Sequence, residues 1–412
     1  MTIQASDIPD IVATTRKEEG ALRFQQIAQS LPFYEVFSRI FKRDKMTFQS
    51  GRAISRTLMT KLHRAAADHV GFLEPDVVDI IDVLETMTVE WVHARTYWGL
   101  VYQTDVLMNS GPELILNIIK PRRLASVLGL VEELEDAFWA DAPSVGNKTE
   151  PWGINYWLVS NATAGFNGGA PSGHTTVGGI NPTVTPAFKN YTLTFGAVSF
   201  TDLIKKLKTA FRACRFVSPV QHPDYRNQIR DRYRGYVNEV TISLMEDLIR
   251  SQNSDLGRDL AAMEGQAYIN GYPIIQVPKL DSDTTNPIYF PDFATFYPVC
   301  LKGDYLRETG PIMSKDQHNA WNNFVDLTYN FIGIDRRRNV RAYAAYRGTD
   351  GQSVLQRNAS IPGHVGILAG HAADHPGDCA AAAGGGEDLG FVAQAEHAGD
   401  DLQLVGRAHG QD

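Results

Sequence analysis

Between Glu113 and Trp139 the apolar residues Leu124, Val127, Leu128, Val131, Leu134 and Phe138 recur at steps of three and four. That spacing dictates an amphipathic helix. At 1.5 Å per residue the helix runs roughly 40 Å, long for a globular domain, so it reads as a spine against which other elements pack. Arg122, Arg123, Glu132, Glu133, Glu135 and Asp136 fill the remaining face and read as a solvated or interfacial charge row, not as catalytic carboxylates. Pro121 is expected to kink or restart the helix, because it removes a donor and clashes with the preceding turn.

The segments around this spine alternate irregularly. Residues 1–45 are polar and mixed, with an amphipathic stretch from Ala21 to Phe41, and read as an arm that packs on something else. Met46 to Asp82, punctuated by Gly51 and Gly71, reads as a long two-stranded excursion. Thr86 to Tyr102, dense in Val, Thr, Trp and Tyr, reads as one strand covered on both faces. Asn161 to Pro186 is rich in Gly, Asn, Thr and Ser, a structured loop of the length that usually serves function or an interface.

Ser199 or Thr201 caps a helix whose Leu203, Ile204, Leu207 and Phe211 share a face, and a further helix is expected over Asn238–Arg250. Strands are expected at Tyr272–Pro278, Ile288–Phe290 and Val325–Phe331. Asp335–Asn339 then forms a charged turn, from which Val340–Ala345 pairs back. Strands flanking helical blocks without regular βαβ alternation indicate an α+β fold.

Charge narrows the function. Of the net −8 over 412 residues, the stretch from Tyr346 onward carries −6, with three arginines, no lysine and nine acidic residues. The body is therefore nearly neutral and offers no basic face to grip DNA phosphates. Residues 346–412 contain five of the eleven histidines, Ala380–Ala383 and Gly384–Gly386, and no sustained apolar period, so they are expected to form a disordered tail. No apolar run reaches membrane-spanning length and the start lacks a signal-peptide pattern, so the chain is expected to mature in the cytoplasm where it is made. Cys214, Cys300 and Cys379 are far apart and odd in number, and suggest neither a disulfide framework nor a zinc site.

Catalytic motifs are missing. The sequence contains no Gly-x-Ser-x-Gly elbow, His-Glu-x-x-His helix, P-loop or Gly-x-Gly-x-x-Gly fingerprint. His63, His69, His93, His174, His222 and His318 are isolated, and the closer His364, His371 and His375 lie in a Gly/Ala context without preorganised geometry. Arg336–Arg338 reads as a structural or intersubunit salt-bridge turn. No catalytic, cofactor-binding or metal-binding residue is therefore assigned, and the protein is expected to be non-catalytic.

Several passages in order resemble tailed double-stranded-DNA phage major capsid proteins of the Hong Kong 97 type. They are Leu107–Glu113 with the long helix, its exit Phe138-Trp139-Ala140-Asp141, and Pro151-Trp152-Gly153-Ile154 leading into the Gly/Asn loop. Asn270–Pro278 followed by Asn286–Phe290, and Asp326–Arg338, complete the series. The resemblance covers about 47–345 and implies an N-terminal arm (1–45), an extended loop (46–82), a peripheral domain with the spine helix (83–149), an axial domain (150–275) and returning peripheral strands (276–345). It further implies a shell of pentamers and hexamers of this chain that encloses DNA without sequence-specific binding. Separate scaffold, portal and head-completion proteins, no membrane, and a place in the virion capsid after assembly in the host cytoplasm complete that expectation. Some members of the family cross-link an extended-loop lysine to a neighbour's asparagine; Lys61 is the only lysine from Met46 to Ile119, although an ordinary surface contact is the simpler reading. The alternatives are an encapsulin-type nanocompartment shell and, further off, an enzyme using the loop 161–186 as a substrate lid.

Overall fold

The computed structural model describes residues 28–49, 51–64, 67, 69, 80–108, 112–216, 232–252 and 267–344. After helical turns at Val36–Phe41 and Lys42–Asp44 come β1 (Met46–Phe48), β2 (Ala53–Met59), β3 (Leu84–Glu90) and β4 (Val92–Val101). The spine helix α1 (Pro112–Trp139), the short α2 (Ile154–Trp157), β5 (Gly165–Gly168), β6 (Asn190–Phe195) and α3 (Lys205–Cys214) follow. Next are β7 (Gly235–Val237), α4 (Glu239–Gln252), β8 (Ala267–Ile269), β9 (Tyr272–Gln276) and β10 (Ile288–Phe290). The chain continues through β11 (Phe296–Leu301), β12 (Arg307–Glu308), β13 (Ile312–Met313), β14 (Ala320–Gly333) and β15 (Val340–Ala344). The fold is α+β, as the element pattern predicts.

Pro121 does not divide the spine: α1 is one helix of 28 residues. Its buried face is Leu130, Val131, Leu134, Glu135, Phe138 and Trp139, the i, i+4, i+8 rows expected of one helical stripe. This stripe packs on a six-stranded sheet whose axis is β14. β4 runs antiparallel along β14 from Ala320↔Val101 to Tyr329↔Val92. β11, β12 and β13 pair with successive stretches of β14, and β1 adds in parallel beyond β11. Phe41, Phe138, Tyr329 and Phe331 meet edge to face at the centre, with Phe138 and Phe331 centroids 4.8 Å apart.

The second sheet has seven strands in the order β5-β6-β15-β10-β7-β9-β8. α3 covers it with Leu207, Ala210 and Phe211 buried, joined by Leu203 of the preceding helical turn, which the Ser199 hydroxyl caps by accepting from the Asp202 N–H at 3.1 Å. Asn238 does the same for α4, accepting from the Thr241 N–H at 3.1 Å.

Several expectations are corrected. Val340–Ala345 does not pair back on Val325–Phe331: β15 crosses to the second sheet, parallel to β6 and antiparallel to β10. Ile288–Phe290 joins that sheet too, so strands from 276–345 are shared between the two sheets. Nothing in local sequence specifies such non-local pairing.

The stretch Thr86–Tyr102 is two strands broken at Trp91, and only the second lies in the large sheet. β4 is not covered on both faces, since Tyr97 is 68% exposed. The last turns of the expected arm are core: Val36, Ile40 and Phe41 are 0% exposed. The remainder of the arm up to residue 27, most of the loop tip within 65–79, and the tail 346–412 lie outside the described residues.

Where α1 ends, the chain doubles back tightly enough to require glycine. A Cβ on Gly153 would lie 2.5 Å from the Phe138 carbonyl oxygen and 2.8 Å from that of Ala137. The Asn155 side-chain amide donates to the Trp139 and Ala140 carbonyls at 3.0 and 3.1 Å, capping the helix end. Gly153→Ala must push rigid main chain apart, and is expected to cost about 1–3 kcal/mol of stability in a chemical denaturation titration. A variant as stable as the parent would show that this junction yields freely.

Candidate functional site: a projecting hairpin and the anchors beneath it

β2 and β3 pair only with each other, from Ala53↔Glu90 to Met59↔Leu84, and the ladder is extended by the Thr60 N–H donating to the Val83 carbonyl at 3.0 Å. A two-stranded ribbon alone is marginally stable in water, so what holds its root matters. At the root Ile54, Met87 and Val89 are buried in the main core. The Trp91 indole N–H donates to the Gly51 carbonyl at 2.9 Å, and the Thr88 N–H donates to the Gly178 carbonyl at 2.9 Å. Towards the other end the apolar residues stand in solvent: Met59, Leu62 and Leu84 are 48%, 75% and 52% exposed. Apolar surface gathered at the far end of a projection marks a contact to be made with another molecule.

Lys61 sits at this end, with its ammonium 3.8 Å from a Glu85 carboxylate oxygen. A second apolar group lies at one end of the large sheet, where Val101, Ile312 and Met313 are about half exposed beside the register Ala320↔Val101 and Ile312↔Asn322.

The loop 161–186 is an anchor, not a lid. Val177 and Ile180 are buried and exchange main-chain hydrogen bonds at 2.8 and 3.1 Å. Gly178 packs against Met87 of the hairpin, and the Thr185 hydroxyl donates to Glu85 at 2.9 Å. The loop thus clasps one strand of the hairpin to the body, from Thr88 and Met87 out to Glu85.

The charged turn Asp335–Asn339 is likewise interior. Arg336 is 0% exposed, and its guanidinium donates to the carbonyls of Trp157 (2.7 Å), Phe188 (3.0 Å) and Gly169 (2.9 Å) and to the Asn190 side-chain oxygen (3.1 Å). With no carboxylate beside it, burial pushes its pKa down to about 9. Arg338 is buried against Asp292 at 2.8 Å, and burial raises the Asp292 carboxyl although Arg338 opposes this. Only Arg337 is partly exposed, paired with Asp335 at 3.3 Å and lying over the Phe216 ring.

One cluster escaped sequence reasoning. Glu135, expected in the solvated row, is 0% exposed and accepts from the Val36 N–H at 2.8 Å and the Trp139 indole N–H at 2.8 Å. Glu35 beside it is 1% exposed, accepts from the Tyr236 hydroxyl at 3.3 Å and lies 3.4 Å from the Arg39 guanidinium. Burial is the main cause that raises both carboxyls, Glu35 to about 7. Arg234, in a buried pair with Asp44, closes the cluster. These groups fasten the arm to the spine helix and to β7. The signal existed: Glu135 follows Leu134 on the row of Val131, Leu134 and Phe138.

Among the described residues the histidines stay apart. The His174 ring is 2.7 Å from the Pro143 carbonyl, and His93 lies 3.0 Å from the Thr328 hydroxyl with Asp304 and Asp326 beyond. Among the described residues no group of three or more His, Cys, Asp or Glu side chains is placed to hold a metal ion, and no helix is long and apolar enough to cross a membrane. Cys214 and Cys300 are buried free thiols, both pushed up by burial, Cys300 to about 12. Cys379 and His222 lie outside the described residues.

No family model matches the chain, and no curated protein matches it in sequence. Solved structures do. The fold is similar to that of a chain in the cyanophage A-1(L) capsid asymmetric unit, with a TM-score of 0.54 at 10% identity over 78% of this chain and 96% of that one. The capsid of the myovirus phage XM1 gives 0.46 at 7% identity, over 84% of this chain and 99% of that one. The capsid of a native GTA particle gives 0.46 at 13% identity, over 80% and 98%. The fold is that of a phage capsid protein.

Proposed function

We propose that this chain, having the fold of a phage capsid protein, is a major capsid protein that assembles with copies of itself into an icosahedral head around double-stranded DNA. The observation that carries the proposal is the shared fold with the cyanophage capsid chain over nearly all of that chain's length. The hairpin supports it physically, because its exposed Met59, Leu62 and Leu84 form an apolar surface of the kind that a neighbouring subunit covers in a symmetric assembly. In this reading residues 1–45 are the arm and the hairpin after Met46 is the extended loop. The sheet built on β14 with α1 forms the peripheral domain, and the seven-stranded sheet the axial one.

The role is structural and non-catalytic. DNA is enclosed, not gripped, consistent with the near-neutral body. Scaffold, portal and head-completion proteins are the further partners, and the protein resides in the virion capsid after assembly in the host cytoplasm. The comparisons name phage and GTA capsids, and nothing in them favours the nanocompartment reading.

Electron microscopy of the purified full chain is the test. Shells, sheets or rings of five or six subunits are expected; a species that stays monomeric under all assembly conditions overturns the proposal.

A further inference from the structure

A concave groove of about 1010 Å³ opens where the helical turns at 36–44 meet β7 and β9. Four arginines line it, Arg39, Arg43, Arg232 and Arg234, against a single carboxylate, Asp44. That carboxylate is already taken: Asp44 and Arg234 form a pair whose side chains are 2% and 7% exposed. Arg39 is turned towards Glu35 and lies over the Phe33 ring. Arg43 and Arg232 are exposed, and neither has an ion-pair partner among the described residues. Among the described residues the groove therefore holds two guanidiniums without an ion-pair partner, and the one carboxylate lining it, Asp44, is engaged by Arg234. Phe33 and Tyr268, 41% and 56% exposed, add aromatic surface to its walls.

We propose that this groove docks an acidic peptide segment of a partner protein, with carboxylates on Arg43 and Arg232 and intervening apolar side chains against Phe33 and Tyr268. A guanidinium presents a planar fork of donors that matches a carboxylate bidentately, and such charge-assisted bonds are about twice as strong as neutral ones. Nucleic acid fits less well. Phosphate tracking needs a run of positive charge along a face, whereas the free cations here are two and the body around them is nearly neutral. The proposal goes beyond the shell reading, which gives this groove no ligand, and it does not require assembly.

The test uses the full chain and a fluorescein-labelled oligoglutamate peptide, read by anisotropy, with oligothymidylate as the competing polyanion. Saturable binding of oligoglutamate is expected, weakened by about ten-fold or more in the Arg43→Glu/Arg232→Glu double variant. Arg43→Ala/Arg232→Ala is expected to weaken it in the same direction. Both variants should melt with the parent, because the two side chains are exposed and make no ion pair among the described residues. No saturable binding, or binding that the double variant leaves unchanged, overturns the proposal. So does oligothymidylate binding as tightly and being lost in the same variants, which would make the groove a general polyanion site. Failure to form shells on microscope grids bears on the function proposed above, not on this groove.

Discussion

Arg336→Met is expected to lower the free energy of unfolding by about 2–4 kcal/mol, the loss of several hydrogen bonds from a charged donor that leaves buried acceptors unpaired. Methionine fills a similar volume, so the loss is not a cavity effect. What it abandons is the buried carbonyls of Trp157 and Phe188, the part-buried carbonyl of Gly169, and one of the bonds to the Asn190 side-chain oxygen, which keeps the Val159 N–H at 3.1 Å. Each unsatisfied buried polar group costs roughly 1–3 kcal/mol, less whatever relaxation recovers. These acceptors come from three separate stretches: the end of α2, the clasp loop, and the turn before β6 with the first residue of that strand. Arg336 is thus the tie that sets the loop against the second sheet, and through the loop it supports the hairpin root. Arg336→Lys should fare little better, since a compact ammonium cannot span the fan of acceptors that a guanidinium reaches. Chemical denaturation of the unassembled chain measures both; a loss under about 1 kcal/mol for methionine would show that water replaces the guanidinium without penalty.

How much of this was legible beforehand differs by the range of the interaction. The spine helix was readable because its evidence is local: a 3.6-residue period over many turns admits few other structures. Its boundary at Trp139 and the capped starts near Ser199 and Asn238 follow from the same short-range chemistry. The α+β class followed from element order alone. The turn Arg336–Arg338 reads in sequence as a structural or intersubunit salt-bridge turn, which says nothing of how deeply each arginine is buried. Its burial depends on carbonyls of residues 157, 169 and 188 converging in space, which no window around 336 contains. The strand at Val340–Ala344 failed for the same reason, since its partners β6 and β10 are distant in sequence. Glu135 is a different kind of miss. The helical row places it on the buried face, while its charge sets it with Glu132, Glu133 and Asp136. Its partners, the Val36 N–H and the Trp139 indole, are a terminal-segment amide and a neighbour one turn along. The arm's attachment to its own subunit was hidden with it.

That attachment should depend on pH, and Glu35→Gln should remove much of the dependence. Glu35 faces Arg39, Arg234 and Tyr236, with Glu135 behind it, and Asp136 and Asp44 act on those neighbours. Burial is the largest influence and favours the protonated carboxyl, raising it from 4.5 to about 7, while the two arginines oppose this. In the unfolded chain the group titrates near 4.5, so between about 4.5 and 7 the folded state holds more protons than the unfolded one. Stability from this site is therefore fully present below pH 4.5, falls as pH rises and is lost above about 7, the reverse of a salt-bridged carboxylate. The full span is on the order of 3 kcal/mol. Glutamine keeps the shape and an acceptor for the Tyr236 hydroxyl but never carries charge. The variant should match the parent near pH 5 and exceed it at pH 8, with the residual slope shared by the other carboxyls that burial raises, Glu135, Asp281 and Asp292. Unfolding free energies measured across pH 5–8 decide the matter: parallel curves for parent and variant would mean that Glu35 stays ionised in the fold, held by Arg39 and Arg234, and that the arm's hold on the spine helix does not loosen as pH rises.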